Sequence, residues 1–171
     1  MKNKRYVVVD IETTGFSAAS DRITEIGAVK IENGVMTEEF CQLIDPGIPI
    51  PRRITEITGI TSEMVAGKPA IEDVLPRFLE FCAGCTVVAH NAKFDIGFIK
   101  FNAEMCGYRF NFNILDTLTM ARRVYPYLPN HKLDTVARHA NVELTTHHRA
   151  LGDARAAAQI FMRCMRHLNL E

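Results

Sequence analysis

Two carboxylates interrupt a run of residues otherwise suited to a buried strand. Tyr6-Val-Val-Val-Asp10-Ile-Glu12 is apolar, β-branched and unbroken by Gly or Pro, the pattern of a strand covered on both faces. Side chains two apart on a strand share a face, so Asp10 and Glu12 leave it on the same side. Burying two acids is costly unless something compensates their charge. Such a strand either brings its acids to solvent or an arginine at its end, or gathers them at a functional site. From this pair alone the two readings weigh about evenly.

The rest of the pattern supplies elements to pack around that strand. Gly15 ends it, and Ile23 to Ile31 and Val35 to Ile44 read as two more strands joined by the turn signal Asn33-Gly34. Asp45 to Pro51 carries three prolines and must be loop. Ile71 to Phe81 is an amphipathic helix with Ile71, Val74, Leu75, Phe78 and Leu79 on one face. Thr86 to Ala89 is a short strand. The next helix is expected to bury Phe94, Phe98, Phe101 and Met105, with Asp95 at the edge of that face. A strand near Phe112 to Leu115 precedes helical segments from Thr117 to Val124 and Leu133 to Ala140. A last helix, Ala150 to His167, turns Leu151, Ala154, Ala158, Phe161, Met162 and Met165 inward. Without repeats, linkers or low-complexity tracts, residues 1–171 read as one α/β domain with a mixed sheet.

Composition narrows the setting. The 171 residues are 47% hydrophobic and 23% charged, an ordinary globular balance with enough chain for one core. No apolar run approaches the roughly 18 residues of a membrane span. The basic start Met1-Lys-Asn-Lys-Arg5 resembles a signal peptide, but Asp10 and Glu12 break the apolar stretch too early. Neither secretion nor membrane insertion is expected. Five cysteines, an odd number, point to a reduced, cytoplasmic protein. Cys82-Ala-Gly-Cys85 lacks a second pair at zinc spacing and reads as two small apolar residues between a helix and a strand. Net charge is zero, yet residues 1–90 carry 9 basic against 13 acidic groups and residues 91–171 carry 11 against 7. If some of the acids hold cations, the working protein is more positive than its formal charge. Neutrality therefore does not exclude nucleic acid.

Two further stations carry possible chemistry. Asp95, in His90-Asn-Ala-Lys-Phe-Asp95, falls near a helix N-terminus, where an acid is favourable on its own account. In His148-Arg-Ala-Leu-Gly-Asp153 the five-residue separation spans about 500° of helix. Histidine and acid then meet only if His148 lies on the loop before the helix and Asp153 in its first turns. Phosphate-binding glycine loops and a nucleophile elbow are both missing, and the chain has only three serines.

Taken in order, Asp10-x-Glu12-Thr-Thr-Gly, His-Asn-x-x-Phe-Asp95 and His148-x-Ala-x-x-Asp153 resemble the signature of the DEDDh 3′–5′ exonucleases. Within that family the chain is most similar to the proofreading exonuclease of bacterial DNA polymerase III, as an epsilon subunit or a domain of C-type polymerases. Glu56-Ile-Thr-Gly-Ile-Thr61, Leu115-Asp-Thr117 and Asn130-His-Lys-Leu133 support the likeness, which runs from about Tyr6 to Met165.

The resemblance implies a ribonuclease-H-like fold: a mixed five-stranded sheet with helices on both faces. It implies release of nucleoside monophosphates from single-stranded or frayed DNA 3′ ends, with two divalent cations, Mg²⁺ or Mn²⁺, about 4 Å apart. Oxygen ligands suit those cations. By the same analogy Asp10 bridges both cations, Glu12 and Asp95 complete the shell, and Asp153 serves the cation on the nucleophile side. His148 takes the water's proton. His147 is the neighbouring candidate, but only His148 has the family's spacing to Asp153. Thr13, Thr14 and Gly15 meet the terminal nucleotide, and His90, Asn91 and Phe94 hold or line its pocket, although packing explains Phe94 equally well. Lys93, Arg149 and Arg52-Arg53 are candidate phosphate contacts, with a solvated surface as the default. An RNA exonuclease would use the same residues, and an inactive binding module would be expected to lack a ligand, which this chain does not. A replicative polymerase is the implied partner. The chain stops 18 residues after Asp153 and is expected to lack a clamp-binding tail; Gln159-Ile-Phe-Met162 faintly resembles a clamp-binding peptide but should pack in the core.

Overall fold

The buried run with two acids forms the central strand of a five-stranded sheet. The structure, a computed structural model, describes residues 4–144 and 148–170. The strands are β1 (Arg5–Thr13), β2 (Ile23–Glu32), β3 (Val35–Leu43), β4 (Thr86–Ala89) and β5 (Ile114–Asp116), in the order β3-β2-β1-β4-β5. The first three form an antiparallel meander, and β4 and β5 add in parallel on the other side of β1. Asn33 and Gly34 both take positive φ, 51° and 77°, as a two-residue hairpin turn matched to strand twist requires.

Helices cover both faces, as expected. They are α1 (Arg52–Thr58), α2 (Ser62–Val65), α3 (Ile71–Phe81), α4 (Ala92–Met105), α5 (Thr117–Val124), α6 (Leu133–His139) and α7 (Ala150–His167). Val8, Val29 and Val88 pack with α5, α6 and α7. Val7, Val9 and Val87 point the other way, into α3 and α4. Successive valines thus feed two cores through the period of two. Ile160 and Phe161 are buried in α7, so Gln159–Met162 is core-packed.

Two features depart from expectation. Helices α1 and α2, not anticipated, close a small separate cluster of Ile50, Ile54, Ile60 and Val65. They are 7 and 4 residues long, too short to display a helical period. In α4 the buried stripe is Ala92, Asp95, Phe98, Ile99, Asn102 and Ala103, while Met105 is 73% exposed. Asp95 therefore lies within the buried face, not at its edge. Two polar residues inside that stripe displaced the apolar rhythm from which the face was read.

Candidate active site

Register carries the acids to one place. Asp10 and Glu12 share the face of Val8 and so project toward the N-terminus of α7. Asp153 stands in the first turn of that helix. One carboxylate oxygen from each of Asp10, Glu12 and Asp153 lies within 4.8 Å of the others. Asp95 comes from the opposite layer. Strand β4 pairs with β1 only over Tyr6–Val8, and beyond it the Ile11 N–H donates to Asp95 Oδ1 at 3.0 Å. Asp95 thus reaches round the sheet where β1 outruns its parallel neighbour. It adjoins the other three without belonging to the 4.8 Å group.

Burial and mutual repulsion hold these acids toward their neutral forms. Asp10 is raised well above the carboxylate range by burial, then by the charges of Asp95, Glu12, Asp153 and Glu25. Glu12 is pushed up to about 8 by burial, then by Asp153, Glu25 and Asp95, against an opposing pull from Arg149. Asp95 rises to about 7 through burial, moderated by the Ile11 N–H and its own. An all-oxygen donor set suits a hard divalent cation, and a cation is the charge that would return such acids to their ionised forms. The residues present fit a hard divalent cation.

His148 lies outside α7, two residues before its first helical residue, at φ 62°. Its backbone N–H donates to Asp153 Oδ2 at 3.1 Å. The five-residue spacing therefore brings loop and helix together as expected; the neighbouring His147 lies outside the described residues. Arg149, a candidate phosphate contact, is tied to the sheet while its side chain stays part-exposed. Its Nε and Nη2 donate to Glu25 Oε2 and Oε1 at 3.1 and 2.7 Å.

The loop after β1 is tied by its own side chains. Thr13 Oγ1 donates to the Gly15 carbonyl at 2.6 Å, and Thr14 Oγ1 accepts the Arg22 N–H at 3.0 Å. Asp21 accepts from Ser17 N at 2.9 Å. A Cβ on Gly15 would run into the Asp21 carboxylate, which accounts for glycine there. Phe16, 71% exposed, meets Phe94 edge-on at 6.4 Å between centroids and lies 5.5 Å from the Arg53 guanidinium. Phe16, Phe94, Asn91 and exposed Lys93 border a cavity of about 270 Å³. Arg52 is paired with Glu56 at 2.9 Å.

His90 and Asn91 build the far wall. His90 Nε2 donates to the His131 carbonyl and Nδ1 accepts from Thr117 Oγ1, both at 2.8 Å, and burial lowers its pKa, favouring this neutral form. Asn91, left-handed at φ 65°, donates its N–H to Asp116 Oδ1 at 3.0 Å. His90 thus holds the wall through part-buried bonds and Asn91 through an exposed one. Cys82 and Cys85 flank the turn between α3 and β4, their thiols raised by burial.

Sequence reasoning missed Glu25, Asp21 and Asp116, whose carboxylate also caps α5 by accepting the Leu118 N–H at 2.8 Å. Glu25 had a usable signal: it is a carboxylate in the apolar run Ile23-Thr-Glu-Ile-Gly-Ala-Val29, the same anomaly that singled out Asp10.

Three comparisons bear on these observations. The model of the Exonuclease family (RNase_T) matches residues 7–161. A PolC-type DNA polymerase III from Clostridium perfringens is 50% identical over 155 residues, covering 91% of this chain but 11% of that protein. A DNA polymerase III epsilon subunit from Aquifex aeolicus is 42% identical over 164 residues, 95% of this chain and 81% of that one. Among solved structures, exonuclease X in complex with 5′ overhanging duplex DNA superposes with a TM-score of 0.77 at 28% identity, covering 94% of this chain and 91% of that one.

Proposed function

We propose, on the premise that this chain belongs to the exonuclease family, that residues 1–171 form one exonuclease domain removing nucleotides from DNA 3′ ends, as a proofreading enzyme does. The observation that carries the reading is the gathering of Asp10, Glu12 and Asp153 within 4.8 Å, with His148 tied to Asp153 beside them. Asp10, Glu12, Asp95 and Asp153 would hold two divalent cations, Mg²⁺ or Mn²⁺. Bound there, the cations neutralise charge on the scissile phosphate and acidify the attacking water.

The chain's own residues do the rest. His148 accepts the water's proton as oxygen bonds to phosphorus; the P–O3′ bond breaks, leaving a nucleoside 5′-monophosphate and a strand with a new 3′ hydroxyl. The backbone around Thr13, Thr14 and Gly15 receives the terminal nucleotide, while Asn91 and His90 brace the opposite wall and Phe94 lines it. A single-stranded or frayed end is the substrate, and a pocket gripping one terminal nucleotide reads little sequence.

The relatives named for DNA polymerase III, and the superposed exonuclease bound to DNA, favour DNA and a replicative polymerase as partner. No helix among the described residues is long and apolar enough to cross a membrane. The relatives named for DNA polymerase III favour a place in the cytoplasm beside the replication machinery. The test is degradation of 5′-labelled DNA and RNA oligonucleotides of one sequence, with matched and mismatched 3′ ends, in Mg²⁺, Mn²⁺ or EDTA. Faster removal of mismatched DNA ends, abolished by EDTA, is expected. Preference for RNA, or equal rates on matched and mismatched ends, overturns the proofreading reading.

A further inference from the structure

Strand β2 carries a built seat for the segment that presents His148. Glu25 lies directly opposite Glu12 in the β1–β2 register, and Gly27 opposite Asp10, so both face α7. Glu25 is 1% exposed. Its carboxylate takes both guanidinium bonds from Arg149 and, at 2.9 Å, the backbone N–H of Ala150. The Cys41 thiol approaches it at 4.0 Å. Two residues along, a Cβ on Gly27 would fall on the Ala150 carbonyl carbon and the Leu151 nitrogen. Only glycine lets the start of α7 lie flat on the strand at that point. Glu25 and Gly27 thus fix residues 149–151 from below, immediately beside His148.

We infer that Glu25 is a positioning residue for His148, acting through Arg149 and Ala150, and that Arg149 serves as its latch and not as a phosphate contact. The inference rests on the reading of His148 as the base. The physical case is the geometry of the turn. His148 holds a left-handed backbone, φ 62°, a conformation few non-glycine residues adopt and one that costs energy to hold. It is held on one side by its own N–H to Asp153 and on the other by Arg149 and Ala150 on Glu25. A bidentate fork fixes orientation as well as distance, and proton transfer is sensitive to displacements of an ångström.

Glu25→Gln keeps the shape but cannot serve both guanidinium donors and the Ala150 N–H. It and Arg149→Ala should lower kcat by about 10- to 100-fold on a single-stranded oligonucleotide in saturating Mn²⁺. KM should stay within about twofold, and Arg149→Lys should recover part of the loss. In a His148→Ala background, Glu25→Gln should cost at most about a further twofold, because the group it positions is gone. Amide exchange gives a readout independent of activity: the Ala150 N–H should exchange about tenfold faster in Glu25→Gln, while amides of β1 keep their protection. A rise in KM at unchanged kcat would make Arg149 a phosphate contact and overturn the proposal. So would losses that multiply in the double variant, or unchanged Ala150 exchange. Full turnover in His148→Ala alone would sink the base assignment, and this proposal with it.

Discussion

Glu12 and Glu25 face each other across neighbouring strands, on the same side of the sheet, yet are treated in opposite ways. Glu25 accepts three N–H bonds, two of them from a guanidinium. Glu12 faces Asp10 and Asp153, and burial and repulsion push it up to about 8. One acid is compensated by bonds from within the chain; the other sits among acids and is relieved by a proton or by a cation from outside. The contrast separates a carboxylate that holds backbone from carboxylates left without a compensating charge, the ones we propose for chemistry.

The most severe way to break this contrast is Asp10→Asn. Turnover in Mg²⁺ should fall by at least about a thousandfold, since several kcal/mol of transition-state stabilisation go with the cation. The metal-free melting temperature should rise at the same time, because the cost of burying an ionisable acid among other acids is gone. An assay paired with calorimetry checks both signs; retained activity would remove Asp10 from the site.

Metal itself should sharpen the contrast next. At about a hundred times its dissociation constant Mn²⁺ should add about 2.7 kcal/mol, or roughly 5–10 °C. Without metal, melting temperature should decline with pH. A carboxyl whose pKa is higher folded than unfolded binds more protons when folded, so its stabilisation is complete at low pH and lost as pH rises through the folded value. For Glu12 that window runs from 4.5 to about 8. His90, lowered from 6.5 by burial, acts in the opposite sense below its ordinary value, so the decline should be clearest above it. A pH-independent metal-free melt would contradict the burial argument.

On the other side of the comparison, Glu25→Ala should destabilise by about 2 kcal/mol whether or not metal is present. That is less than the roughly 3–5 kcal/mol for breaking a fully buried pair, because Arg149 keeps one side in water. Denaturant titration measures it, and a metal-dependent loss would place Glu25 among the ligands instead. The smallest effect belongs to Arg155→Ala, which removes an exposed fork onto Glu39 at 2.7 Å. It should cost less than about 1 kcal/mol and fade with salt.

Reading these regions from sequence succeeded where a local period met a local signal. The limits of α3, β4, α5 and α7 follow from runs long enough or punctuated clearly enough to show their period. Helices α1 and α2 were invisible because one or two turns carry no period. The buried face of α4 was misread because its interior includes Asp95 and Asn102, whose burial is settled by where the helix lands. Among the site residues, Asp10 and Glu12 were legible as acids on an apolar strand. Asp95 and Asp153 needed the resemblance, and Glu25 showed the same anomaly as Asp10 without a motif to draw attention to it.

What the sequence alone determined is which residues alternate, which turns are possible, and that Asp10 and Glu12 must share a face; these depend only on bond geometry and periods of two and 3.6. Tertiary structure alone decided which partner each buried charge would find. Strand β1 outruns β4 and leaves the Ile11 N–H to Asp95. Helix α7 lands on Gly27, so Arg149 reaches Glu25 while Asp153 reaches Asp10 and Glu12. Arg149 is 124 residues from Glu25 in the chain, and Coulomb's law depends on distance through space, which no local pattern encodes.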